Sequence, residues 1–139
     1  MTSKEYLLQI RKIETMIRNK QAEIQRMMGM ALSTTPQMSG ERVQSTKNPQ
    51  RMADAINECV DLDSEIRQDI EELKRKRREI IKTIEQLDTI EYDILHKIYV
   101  QNLTYKGIAS IYSYSRSWVK NTHKQALRSL QTILDGESS

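Results

Sequence analysis

The stretch TYKGIASIYSYSRSWVKNTHKQALRSLQTIL, Thr104 to Leu134, carries five cations and no acid. Its punctuation divides it in two. Thr104 stands where its hydroxyl oxygen can satisfy an orphan first-turn N–H, which predicts a helix over Tyr105–Tyr112. Ser113 and Tyr114 read as a tight turn, and Ser115 is the next cap, opening a helix from Arg116 to about Leu134. A short helix, a tight turn and a capped basic helix are the parts of a helix-turn-helix. On a wheel, Val119, His123 (or Thr122), Ala126, Leu130 and Ile133 share one face, expected to pack on Ile108, Ala109 and Ile111. The opposite face shows Ser117, Lys120, Asn121, Lys124 and Arg128, with Arg116 at the positive N-terminal end. Cations suit phosphates, and the paired donor and acceptor of Asn121 suit an adenine edge.

Upstream, Asp88 and Glu91 form a capping-box pattern before Ile94, Leu95, Ile98 and Tyr99, a helix that reaches about Val100. Before it, a long helix from about Gln50 to Leu87 fits a heptad frame. Ile56, Asp63, Ile70, Arg77 and Ile84 fall at a, and Cys59, Ile66, Leu73, Ile80 and Leu87 at d. Thr2 and Glu5 make a capping box for a first helix from about Ser3 to Met28. Its frame sets Ser3, Ile10, Ile17 and Ile24 at a, and Tyr6, Ile13, Lys20 and Met27 at d. Residues 29–49 hold both prolines and read as a flexible loop. The expected division is therefore a helical hairpin or coiled coil over 1–87, a helix-turn-helix domain over 88–134, and a disordered tail over 135–139.

Composition agrees with an all-α fold. The 139 residues include only 4 glycines and 2 prolines, too few for the many turns of an all-β chain. With 37% apolar residues and no phenylalanine, the chain suits helices that dry one stripe each. Cys59 is the only cysteine, and His96 and His123 are the only histidines, so no metal-ligand spacing exists. There is no nucleophile beside a base and no Gly-rich phosphate loop; we expect neither catalytic residues, nor a metal, nor a cofactor. No apolar run reaches a membrane span, and a cytoplasmic setting is expected. Net charge is only +3, but it is uneven: residues 50–73 carry eight acids against Arg51 and Arg67, and the cations gather at the C-terminal end.

From Ile90 to Leu130 the sequence resembles region 4 of sigma-70-type factors. The matching residues are Ile94-Leu95, Ile98-Tyr99, Leu103-Thr104, Ile108-Ala109, Tyr112, Ser115, Val119, Ala126-Leu127 and Leu130. Gly107 departs from the pattern where an acid is usual, as does Tyr112-Ser113-Tyr114 where a Leu-Gly-aliphatic turn is commoner. Nothing before residue 88 resembles sigma region 2, so promoter melting is not implied. The layout is also similar to phage-encoded late-transcription regulators of the ArpU and RinA kind. That likeness implies a sequence-specific DNA-binding regulator that activates late phage genes and works with host RNA polymerase.

The DNA-contacting set expected from these readings is Arg116, Ser117, Lys120, Asn121, Lys124 and Arg128, joined by Thr104 and Ser115. Lys74, Arg75 and Arg78 form an auxiliary set within a basic run whose bland reading is a solvated, salt-bridged face. The stripe Ile80, Ile84 and Leu87 outlasts helix one and needs a further partner, either the C-terminal domain or a second subunit; self-association through the N-terminal helices is the favoured expectation. Two other tasks fit the same parts: a small terminase-like subunit that marks DNA for packaging, and an adaptor that docks on RNA polymerase without reading DNA.

Overall fold

The computed structural model describes residues 1–32 and 49–137. Every regular element among them is helical: α1 (Ser3–Leu32), α2 (Pro49–Ile84), α3 (Thr89–Leu95), α4 (Tyr105–Tyr112) and α5 (Arg116–Glu137). A π-helical turn, His96–Val100, continues α3. The all-α expectation of long N-terminal helices followed by a helix-turn-helix holds.

Element ends follow from caps. In α1 the reciprocal box is complete: Glu5 N–H donates to Thr2 Oγ1 at 3.1 Å and Thr2 N–H to Glu5 Oε1 at 2.8 Å. The α1 helix runs on past Gly29, and α2 starts on Pro49, whose missing N–H costs nothing in a first turn. Both ends of the loop placed at 29–49 are thus helical; residues 33–48 lie outside the described residues. The α2 helix stops at Ile84, short of Leu87. Gln86 N–H and Leu87 N–H reach back only three residues, to the carbonyls of Thr83 and Ile84, and this tightens the exit before Asp88. The α5 helix continues through Asp135, Gly136 and Glu137, which the sequence reading assigns to a disordered tail. Gln131 Nε2 donates to Asp135 Oδ1 at 3.0 Å across one turn, and a glycine there costs only about 1 kcal/mol. Ser138 and Ser139 lie outside the described residues.

Two compact units form. The first joins residues 1–13 to residues 72–139, a grouping that does not follow a boundary at residue 87. Its core is one cluster: Leu7 and Ile10 of α1, Ile80 and Ile84 of α2, Ile94 and Leu95 of α3, Ile108 of α4, and Val119, Ala126 and Leu130 of α5. Polar ties reinforce it. Tyr6 Oη and Thr83 Oγ1 lie 2.9 Å apart, and Ser3 N–H donates to Gln131 Oε1 at 2.7 Å. The stripe of Ile80 and Ile84 is therefore dried within the chain, by α1 and the C-terminal helices, and does not call for a second subunit.

The second unit, residues 14–71, pairs the later part of α1 with the earlier part of α2, antiparallel. Cys59 Sγ–H points to the Ile24 carbonyl at 3.9 Å, and Lys20 Nζ lies 2.7 Å from Asp69 and 3.3 Å from Glu65. The α1 frame is as expected, with Ile17, Lys20, Ile24 and Met27 all half-buried. The α2 frame is not. Cys59 and Ile66 face inward, but the alternate seam positions are Ala55, Leu62 and Asp69, one residue before the expected Ile56, Asp63 and Ile70, which are exposed. Lys20 decides this. An ammonium in a helix seam must face an acid, and only the earlier frame turns Asp69 toward it.

Candidate nucleic-acid interface

The α4–turn–α5 unit is built from three local devices. Thr104 Oγ1 accepts from Gly107 N–H at 3.1 Å, so the departure at Gly107 falls in the first turn and serves the cap. Ser115 Oγ accepts from Trp118 N–H at 3.1 Å and starts α5 in the same way. Between them Ser113 adopts the left-handed region, with φ 60° and ψ 37°. Ser113 N–H bonds the Ser110 carbonyl at 3.3 Å, and Tyr114 N–H bonds the Ala109 carbonyl at 3.1 Å. This paired closure is the Schellman end, here on serine instead of glycine. It bends the chain where the sequence places a tight turn.

Three aromatic residues brace the bend. Tyr114 and Trp118 have ring centroids 4.5 Å apart, and Tyr112 lies 5.2 Å from Trp118. The Tyr112 hydroxyl donates to Asp93, which Lys97 Nζ also holds at 2.8 Å. Burial works against the Asp93 charge, yet these two hydrogen bonds outweigh it and hold its carboxyl below the usual range. Burial, then the Asp93 bond, push the Tyr112 phenol up to about 12. On the other side of α5, His123 is buried between two phenols. Tyr99 Oη lies 2.7 Å from Nε2 and Tyr105 Oη lies 2.7 Å from Nδ1. A neutral imidazole offers one donor and one acceptor, so both ring nitrogens are satisfied in either tautomer. Burial lowers the His123 pKa, and the positive charge of Lys4 adds to this.

The inner face of α5 matches the wheel. Val119, His123, Ala126 and Leu130 are buried, as are Ile108 and Ala109 of α4, whereas Ile133, placed on the same face, is only half-buried. Ile111 is the exception; it is 59% exposed and does not belong to the packed face. The α4 helix ends one residue later, and its inward positions are taken by Ile108, Ala109 and Tyr112. Glu91 also departs from its pattern. Its N–H donates to Asp88 Oδ1 at 2.9 Å, but its carboxylate is buried and accepts from Ser129 Oγ at 2.9 Å, tying α3 to α5 rather than closing a capping box.

On the outer face Arg116, Ser117, Lys120, Asn121, Lys124 and Arg128 are all exposed, as are Thr104 and Ser115. Among the described residues no acid forms an ion pair with Arg116, Lys120, Lys124 or Arg128. The basic run on α2 differs. Lys74, Arg75 and Arg78 are exposed, but Arg75 is paired with Glu72, and neighbouring Lys76 with Glu79 at 3.4 Å. One surface keeps its positive charge; the other spends part of it locally.

Sequence reasoning finds the outer face but not what holds α5 in place. The Tyr99–His123–Tyr105 bridge, the Asp93–Tyr112 bond and the Ser3–Gln131 bond join residues far apart in sequence. Only the Asp93–Lys97 pair, four residues apart, carries a local signal.

Residues 83–132 match the family described as Sigma-70, region 4. The match opens inside α2, at the residue whose hydroxyl meets Tyr6, and covers the π turn, α4 and most of α5. The C-terminal part of the chain is thus a sigma-70 region 4-like helix-turn-helix, which supports a DNA-binding, transcription-related role. No curated protein and no solved structure matches the chain. Among the described residues, no helix is long and apolar enough to cross a membrane.

Proposed function

We propose that this chain is a sequence-specific DNA-binding transcription regulator of a phage or mobile element, one that activates late genes together with host RNA polymerase. In this reading α5 lies in the major groove. Arg116, Lys120, Lys124 and Arg128 hold phosphates, Asn121 and Ser117 face base edges, and the exposed hydroxyls of Thr104 and Ser115 keep their protons for the backbone. Lys74, Arg75 and Arg78 are auxiliary phosphate contacts, and the N-terminal helices bring two copies to a repeated site. The observation that carries the reading is the unneutralised cationic face of a capped helix that follows a sharp left-handed turn. The match to region 4 supports the polymerase link. Nothing observed favours a packaging subunit over a regulator.

The test is selection of bound genomic fragments, then run-off transcription with and without the protein. On the selected site, Lys120→Ala should weaken binding to all sequences and reduce the slope of log affinity against log salt by about 0.9. Asn121→Ala should relax preference at one base position, at about 1–3 kcal/mol. If affinity survives simultaneous replacement of Lys120, Asn121, Arg116 and Lys124, α5 is not the reading helix.

A further inference from the structure

The rotation of the α2 seam leaves a second stripe uncovered. Met52, Ile56, Val60, Asp63, Arg67 and Ile70 follow one another at intervals of three or four residues, which places them along one side of the helix. Met52 is 41% exposed, Ile56 48%, Val60 61% and Ile70 36%. Four large apolar side chains in line on a helix rich in acids are not the scatter of a solvated surface. The stripe has one polar interruption, Asp63 and Arg67, with Arg67 Nε 3.1 Å from Asp63 Oδ2.

We infer that this stripe is the contact between two copies of the chain, packed α2 against α2 in antiparallel orientation. The centre of the stripe is self-complementary. A two-fold axis beside the midpoint of Asp63 and Arg67 sets Asp63 of each copy against Arg67 of the other. It also brings Val60 against Ile70 of the second copy, apolar on apolar, and lays Ile56 and Met52 along the aliphatic stems of the exposed Lys74 and Arg78 of that copy. A parallel arrangement sets Asp63 on Asp63 and Arg67 on Arg67, which the charges oppose. In the antiparallel pair, the two local ion pairs become one four-charge cluster that fixes register, a task to which polar seam positions are suited. A two-fold contact uses the same patch on both copies and so closes at two. The inference refines the self-association part of the proposed function and is independent of how α5 meets DNA.

Solution mass of the full chain tests it. The wild-type chain should be a dimer. Asp63→Arg and Arg67→Asp, each alone, surround the axis with four like charges, and each should weaken dimerisation more than about tenfold while leaving the helical circular-dichroism signal unchanged. An equimolar mixture of the two variants should recover the dimer, because one then supplies only cations and the other only acids. Val60→Gln should weaken the dimer without recovery in any mixture. If the wild-type chain is dimeric and both charge variants dimerise equally well, the face is wrong and self-association stands. If the wild-type chain is monomeric, both fall, whereas DNA affinity measured on the same samples judges the helix-turn-helix separately.

Discussion

His123 joins three segments through two hydroxyls, and its environment makes the fold sensitive to acid. Burial holds the imidazole below its ordinary 6.5, so the folded chain binds a proton less readily than the unfolded one. The sign follows: this contribution is complete above about 6.5 and is lost as the pH falls from there toward the lowered folded value. His96, lowered chiefly by its own burial, acts in the same direction. Denaturation midpoints measured from pH 7.5 down to 5 should therefore fall, and Tyr105→Phe should cost about 1–3 kcal/mol at neutral pH by leaving Nδ1 without its partner. Ser113 offers the opposite kind of change. A side chain in the left-handed region costs roughly 1 kcal/mol relative to glycine. Ser113→Gly should raise stability by about that amount in urea titration and leave DNA affinity unchanged, since the Schellman closure is made by backbone alone.

At the scale of elements, the sequence is most legible where a rule is local. The caps at Thr2, Thr104 and Ser115 depend on one side chain and an N–H three residues on, and each forms as its spacing implies. The exposed outer face of α5 is likewise readable from its period alone. The α2 seam is not, because its heptad count admits two frames that share Cys59 and Ile66. Periodicity favours the one with the larger apolar residues, Ile56 and Ile70 against Ala55 and Leu62, whereas the structure takes the one that gives Lys20 an acid. The choice rests on a residue of another helix, which no scan along α2 detects. The π turn escapes for a similar reason: Ile98, Tyr99 and Val100 are all buried, three consecutive positions that no α-helical stripe accommodates. The two frames make different predictions. In dilute protein, Ile66→Ala should cost about 2–4 kcal/mol because Ile66 is in the seam under either frame. Ile70→Ala should cost within about 0.5 kcal/mol, as for other surface changes. Equal costs at Ile66 and Ile70 would restore the frame read from periodicity.

For the molecule as a whole, the consequential feature is that the helix-turn-helix does not close its own core. Leu7 and Ile10 belong to the first three turns of the chain, yet both are fully buried in the cluster that contains Val119, Ala126 and Leu130. The α1 start is also tied by Ser3 to Gln131, and Arg11 Nη2 donates to the Ile98 carbonyl at 3.3 Å, beneath the loop that leads to Thr104. A domain boundary drawn at residue 87 cuts this core: it separates Ile80 and Ile84 from Ile94, Leu95 and Ile108, and removes α1 altogether. A fragment of residues 88–139 should therefore lack a cooperative thermal transition and bind DNA weakly, even though it keeps every residue of the basic face. Ile10→Ala in the full chain should lower stability by about 2–5 kcal/mol, the range for deleting a fully buried aliphatic side chain. Near its unfolding midpoint that variant should lose DNA affinity in proportion to the unfolded fraction, while Lys120→Ala should lose affinity with its midpoint unchanged. A fragment that melts as sharply as the full chain would show that residues 1–13 merely rest on a domain already complete without them.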